Sequence, residues 1–76
     1  MTKAYSDDKI KKQFGNRVRL LRKKLNLSQE ELGFQTGLDR TYISGIERGF
    51  RNPSLVNINK IAKALKVDLK TLFDFN

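Results

Sequence analysis

The sequence predicts an all-α fold, a compact domain of five short helices. Three observations carry this. Apolar residues recur at spacings of three and four through most of the chain, the period of a half-buried helix. Capping residues and glycine or asparagine stand where that pattern breaks. No stretch alternates with the period of two that a half-buried strand requires.

The first helix is expected over 7–25, capped by Ser6, after a flexible N-terminus over residues 1–6. Asp7 and Asp8 occupy its first turn and Arg22, Lys23 and Lys24 its last, both favourable to the helix dipole. Ile10, Phe14, Val18, Leu21 and Leu25 form its buried stripe, and Asn26 suits the left-handed position that ends it.

Residues 28–49 hold the most informative pattern, two short helices about a tight turn. Ser28 caps a helix over 29–36, with Glu30 and Glu31 in its first turn and Leu32 facing inward. Gly37 takes the positive φ of the turn. Asp39 caps a helix over 40–48 that buries Ile43 and Ile46, with Leu38 just before it. Gly33 allows close approach of the two helices. Together these features describe a helix-turn-helix, the unit that sets a helix into the DNA major groove.

Residues 49–53 form a loop between Gly49 and Pro53. Ser54 caps a fourth helix over 55–65, with Leu55, Ile58, Ile61, Ala62 and Leu65 facing inward. Asp68 caps a last helix over 69–74 that carries Leu69, Leu72 and Phe73. Residues 7–76 are thus read as a single domain.

Composition narrows the function. The chain of 76 residues has no cysteine and no histidine, which removes disulfides, thiolate metal sites and the usual general base. An enzyme is not expected, nor a cofactor or metal. Sixteen Lys and Arg against eight Asp and Glu give a net charge of +8, which favours a polyanionic partner. The charged N-terminus lacks the apolar core of a signal peptide, and no apolar run approaches a membrane span. A cytoplasmic protein without membrane association is expected.

Beyond these patterns, the chain resembles the lambda-repressor/Cro-type helix-turn-helix proteins, the XRE family. The resemblance rests on Gln29, Leu32, Gly33, Gly37, Ile43, Ser44, Ile46, Glu47 and Gly49, then Asn52-Pro53-Ser54-Leu55, the 60–65 segment, and Leu69, Leu72 and Phe73. It covers roughly residues 10–75, with Gly33 standing where alanine is more usual. LDRTYISGIERGFRNPSLVNI is most similar to the controller proteins of restriction-modification systems, small dimeric regulators of their own promoter and the endonuclease's.

The resemblance implies a lambda-repressor-like fold and a role for particular residues. Base readout falls to Arg40, Thr41 and Ser44, with Tyr42 at the flank. Gly45 would let the helix approach closely. Arg40 suits a bidentate contact to guanine O6 and N7. Phosphate contacts fall to Gln29 at a helix N-terminus, to Arg48, Arg51 and Asn52 around the loop, and to Arg17 across the groove. Lys11, Lys12, Lys23 and Lys24 are expected to add only non-specific attraction. Arg22 and Glu47 match a partly buried salt bridge that orients the recognition helix. For Tyr42, a phosphate contact and ring packing on the second helix stay open.

A homodimer is expected to bind operator half-sites one helical turn apart. Val56, off the inward stripe, with Phe73 and Phe75 beside Leu72, offers its apolar surface. Phe34 lies off the inward face without an assigned contact. With no sensor domain in this reading, control would come from concentration and dimerisation, and a promoter-side site would bring the protein near RNA polymerase. The rival readings are an antitoxin that binds DNA secondarily and a generic basic nucleic-acid binder.

Overall fold

A computed structural model describes residues 7–75, so the expectations for residues 1–6, the Ser6 cap included, lie outside the described residues. The described residues form α1 (Asp7–Lys24), α2 (Gln29–Thr36), α3 (Arg40–Glu47), α4 (Leu55–Ala64) and α5 (Leu69–Leu72). Three of the expected helices, α1, α3 and α4, end one residue early for a shared reason, α2 ends where expected, and α5 ends two residues early.

Each of α1 to α4 is closed by a left-handed residue whose amide turns back on the last turn. After α1 the Leu27 amide donates to the Arg22 carbonyl at 3.2 Å and Asn26 to Lys23 at 3.0 Å. Leu38 and Gly37 close α2 on Gly33 and Phe34, and Phe50 and Gly49 close α3 on Gly45 and Ile46. Val67 and Lys66 close α4 on Ala62 and Lys63. This double bond satisfies carbonyls that the helix leaves unpaired. The positive φ values fall at Asn26, Gly37, Gly49 and Lys66. The last of these was not foreseen, since a lysine gives no local cue for that conformation.

The N-termini are capped as expected by Ser28, Asp39, Ser54 and Asp68, each accepting from a backbone amide of the first turn. Ser28 and Glu31 form a reciprocal box: the Glu31 amide donates to Ser28 Oγ at 3.0 Å and the Ser28 amide to Glu31 Oε1 at 2.8 Å.

The core joins every helix. Phe14, Val18 and Leu21 meet Leu32, Ile43, Ile46, Ile61, Ala62, Leu65 and Leu72. Three expected core residues sit at its edge. Ile10 and Leu25 are more than a third exposed, and Leu55 is 74% exposed. Leu55 opens α4, and because Cβ atoms tilt toward a helix N-terminus its side chain overhangs the bundle. Ile10 and Leu25 lie near the two ends of α1, beyond the turns that cross the bundle.

Two glycines set the helix spacing. A Cβ on Gly33 would lie 2.7 Å from the Leu38 carbonyl oxygen, so α2 and the start of α3 do approach closely there. A Cβ on Gly15 would lie 2.2 Å from the Ile46 carbonyl oxygen and 2.7 Å from that of Glu47. Gly15 therefore lets α1 lie directly on the end of α3, a contact the sequence alone did not reveal.

The caps predict a pH dependence. Hydrogen bonds from Ser28 lower the Glu31 pKa from its ordinary 4.5, and those from Thr71 lower that of Asp68 from 3.8. A carboxylate with a lowered folded pKa stabilises fully above its unfolded value and loses that contribution as pH falls through the folded one. The melting temperature is therefore expected to fall below about pH 4.5. In thermal melts, Glu31→Gln with Asp68→Asn should flatten that fall. An unchanged acid limb would refute the assignment.

Candidate nucleic-acid interface

The turn between α2 and α3 is fixed from inside. The buried Thr36 hydroxyl donates toward the carbonyls of Leu32 at 2.8 Å and Gly33 at 3.1 Å, and accepts from the Leu38 amide at 3.3 Å. Asp39 Oδ2 then accepts from the Thr41 amide at 3.1 Å, starting α3.

The far end of α3 is held by charge. Arg22 Nε donates to Glu47 Oε2 at 2.6 Å and its Nη2 to Glu47 Oε1 at 2.8 Å, with both side chains buried. Arg22 Nη1 also reaches the Leu27 carbonyl at 2.7 Å. Gln29 Nε2 donates to Glu47 Oε1 at 3.1 Å. One carboxylate thus ties the end of α3 to α1 and to the first residue of α2. The pairing raises the Arg22 pKa above its ordinary value, chiefly through the hydrogen bond to Glu47.

Between these two fixings the outer face of α3 is free. Arg40 and Thr41 are exposed, Ser44 is half-buried, and with Gln29 they line one shallow hollow. Three of the expected readers and one expected phosphate ligand thus share a surface. Tyr42 is apart from it. Its hydroxyl accepts from Asn57 Nδ2 at 3.3 Å, and the Arg51 guanidinium carbon lies 5.6 Å from its ring centre. The ring packs against the core with its hydroxyl toward α4, and Tyr42 does not line the hollow of Arg40, Thr41 and Ser44.

Gly45 also has a task within the chain. It is buried, and an added Cβ would lie 2.8 Å from Arg51 Cγ. It makes room for the Arg51 stem, which then reaches Tyr42. Arg48 is exposed with its guanidinium carbon 4.7 Å above the Phe50 ring, and Asn52 is exposed in the loop. Arg17 departs from the expectation of a phosphate contact. Its Nε and Nη2 both donate to the Thr71 carbonyl, at 3.1 Å and 2.9 Å, which ties α1 to the end of α5.

The expected dimer residues differ in setting. Val56 is 64% exposed, next to the exposed Leu55. Phe73 is half-exposed and stacks on Phe14 at 5.3 Å between ring centres. Phe75, expected to resist burial so near the end of the chain, is half-buried against the core and meets Phe73 edge-on at 6.0 Å. Phe34 is 89% exposed on α2. Among the described residues no group of His, Cys, Asp and Glu is arranged to hold a metal ion. No described helix is long and apolar enough to cross a membrane.

This geometry has counterparts in known proteins. The HTH_3 helix-turn-helix family matches residues 18–72. Control protein C.BamHI of Bacillus amyloliquefaciens is 60% identical over 82% of this chain and 78% of its own. Control protein C.MunI of a Mycoplasma species is 54% identical over 84% of this chain and 88% of its own. The crystal structure of the restriction-modification controller protein C.AhdI from Aeromonas hydrophila superposes with a TM-score of 0.80 at 53% identity. That match covers 82% of this chain and 94% of that one.

Removing one partner from a buried ion pair strands the other charge, at a cost of about 3–5 kcal/mol. Urea unfolding of Glu47→Ala should show a loss of that order. Arg22→Met combined with Glu47→Leu should recover most of it, since an apolar replacement leaves no stranded charge. A wild-type midpoint for Glu47→Ala would contradict the buried-pair assignment.

Proposed function

The chain belongs to the helix-turn-helix family, and from that premise we propose that it is a dimeric, sequence-specific transcriptional regulator acting as a restriction-modification controller. The observation that carries this is the free outer face of α3. Arg40, Thr41 and Ser44 share one hollow with Gln29, while both ends of the helix are fixed to the scaffold. A rigid helix with polar, protruding side chains at its start is what base readout in a major groove requires.

Within this reading Arg40 meets a guanine edge, Thr41 a thymine methyl or base edge, and Ser44 an adaptable base position. Gln29, Arg48, Arg51 and Asn52 frame them on phosphates. Arg51 lies against Tyr42, and Arg48 against Phe50, so part of the ordering of each side chain precedes binding. Tyr42 serves as the support for Arg51. Arg17 has no part in the contact, since its guanidinium holds the Thr71 carbonyl.

The exposed pair Leu55 and Val56 with the half-exposed Phe73 supports a second copy as partner. A dimer reads two half-sites and makes occupancy rise steeply with concentration, which suits a regulator of its own promoter. Bound there, it stands beside or across the path of RNA polymerase. The relatives named as control proteins support the restriction-modification setting.

Selection from a randomised duplex pool tests the proposal. The wild type should enrich a two-fold palindrome with half-sites centred about 10–10.5 base pairs apart. On that site Arg40→Ala should cost about 1–3 kcal/mol per lost base contact and relax one base position in each half-site. A pool that enriches no sequence, or one that enriches a single unrepeated half-site, would count against the regulator or the dimer respectively.

A further inference from the structure

Composition alone gives the cations of α1 nothing beyond diffuse attraction. The structure gathers two of them with a third, Arg48, from the cap that follows α3. Lys12, Asn16 and Arg19 follow spacings of four and three, so they form one row on α1. That row, with Glu47 and Arg48, lines a single open hollow where α1 crosses the end of α3. The Gly49 backbone passes the base of the exposed Lys12, since an added Cβ there would lie 2.7 Å from Lys12 Cγ and 3.1 Å from its Cα. Arg48 is steadied by the Phe50 ring at 4.7 Å.

The charge of the hollow is not balanced from within. Its one acid is Glu47, whose two oxygens already accept from Arg22, with Gln29 as a further donor. Among the described residues the salt bridges are Lys11 with Asp8 and Arg22 with Glu47, so no carboxylate pairs with Lys12, Arg19 or Arg48. Three side-chain cations therefore face one concavity whose only acid is already matched by Arg22.

The position of the hollow indicates the anion. Arg40 and Ser44 are spaced by four along one row of α3, and Arg48, the helical residue that caps its end, continues that row about 6 Å beyond Ser44. Gln29, at the start of α2, shares Glu47 with the hollow. The cation row thus begins where the reading face ends and continues along α1.

We propose that Lys12, Arg19 and Arg48 form a second phosphate-binding site, which holds the DNA backbone flanking the bases read by α3. It extends the backbone contact from the N-terminus of α2 along α1. The site rests on the regulator reading above, because it is placed by the same seated duplex. It assigns Lys12 and Arg19 a defined contact, one to each phosphate they reach. It also gives the close approach at Gly15 a second consequence, since that approach brings the α1 row level with Arg48.

Binding titrations across a salt series test the site, on the selected operator and on a shuffled duplex of equal composition. Each phosphate contact contributes about 0.9 to the slope of log affinity against log salt. Lys12→Gln with Arg19→Gln should lower that slope by about 1.8 on both duplexes and leave the preference between them intact. Lys60→Gln with Lys63→Gln, which removes the same charge from exposed positions of α4, should leave the slope close to wild type. Lys12→Gln with Arg19→Lys should regain about half of the loss. An unchanged slope for the α1 pair, or an equal fall for the α4 pair, would overturn the site while the operator preference still stood. A wild type that prefers neither duplex would instead overturn the regulator reading, and the site with it.

Discussion

The Glu47 carboxylate is the interaction on which the arrangement of this chain depends. It closes the end of α3 by accepting two charge-assisted bonds from Arg22 and one from Gln29. Three helices meet at one side chain, and the first residue of α2 is set against the last residue of α3. Such a buried pair adds little net stability over an apolar replacement. What it supplies is direction, because a bidentate guanidinium–carboxylate pair tolerates little rotation. The Gly15 contact works with it, letting α1 lie against the carbonyls of Ile46 and Glu47. The recognition helix is therefore fixed at its end by charge and close packing, and at its start by the Asp39 cap and the Thr36 hydroxyl.

This division explains how so small a chain keeps a rigid polar face. Eight-residue helices are too short to persist alone in water. Each is held by a side-chain cap at its start, a left-handed closure at its end and one apolar stripe in the common core. The side chains not needed for these tasks remain free for a partner, and most of the charged ones are basic. The same economy is visible where aromatic rings carry arginines, Phe50 under Arg48 and Tyr42 under Arg51. Those contacts hold cations in place without neutralising them, as an acid would.

What the sequence revealed was local chemistry. Ser28, Asp39, Ser54 and Asp68 announce helix starts because the bond each makes lies within its own first turn. Gly37 and Asn26 announce helix ends because their backbone freedom belongs to the residue itself. The candidate reading face and the Arg22–Glu47 pair were both legible only through resemblance to a family. Contacts set by distant parts of the chain were not legible. The target of Arg17 is a carbonyl far along the sequence at Thr71, and the neighbour of Gly15 is the backbone of α3. Leu55 satisfies the apolar period of α4, yet periodicity does not say where a bundle stops. Tyr42 and Gly45 were assigned by their place in a motif, whereas Asn57 and Arg51 decide their surroundings. The α1 row of Lys12 and Arg19 became a site only when α3 brought Arg48 beside it.

The most direct measurement is a competition titration at physiological salt, using the DNA immediately upstream of this protein's own gene against a shuffled duplex of equal composition. A fixed helix with Arg40, Thr41 and Ser44 on its free face predicts a preference of about 10³-fold or more for the upstream DNA, the range of specific operator readers. Equal, weak binding to both duplexes would contradict it, leaving a basic surface that attracts DNA without reading it.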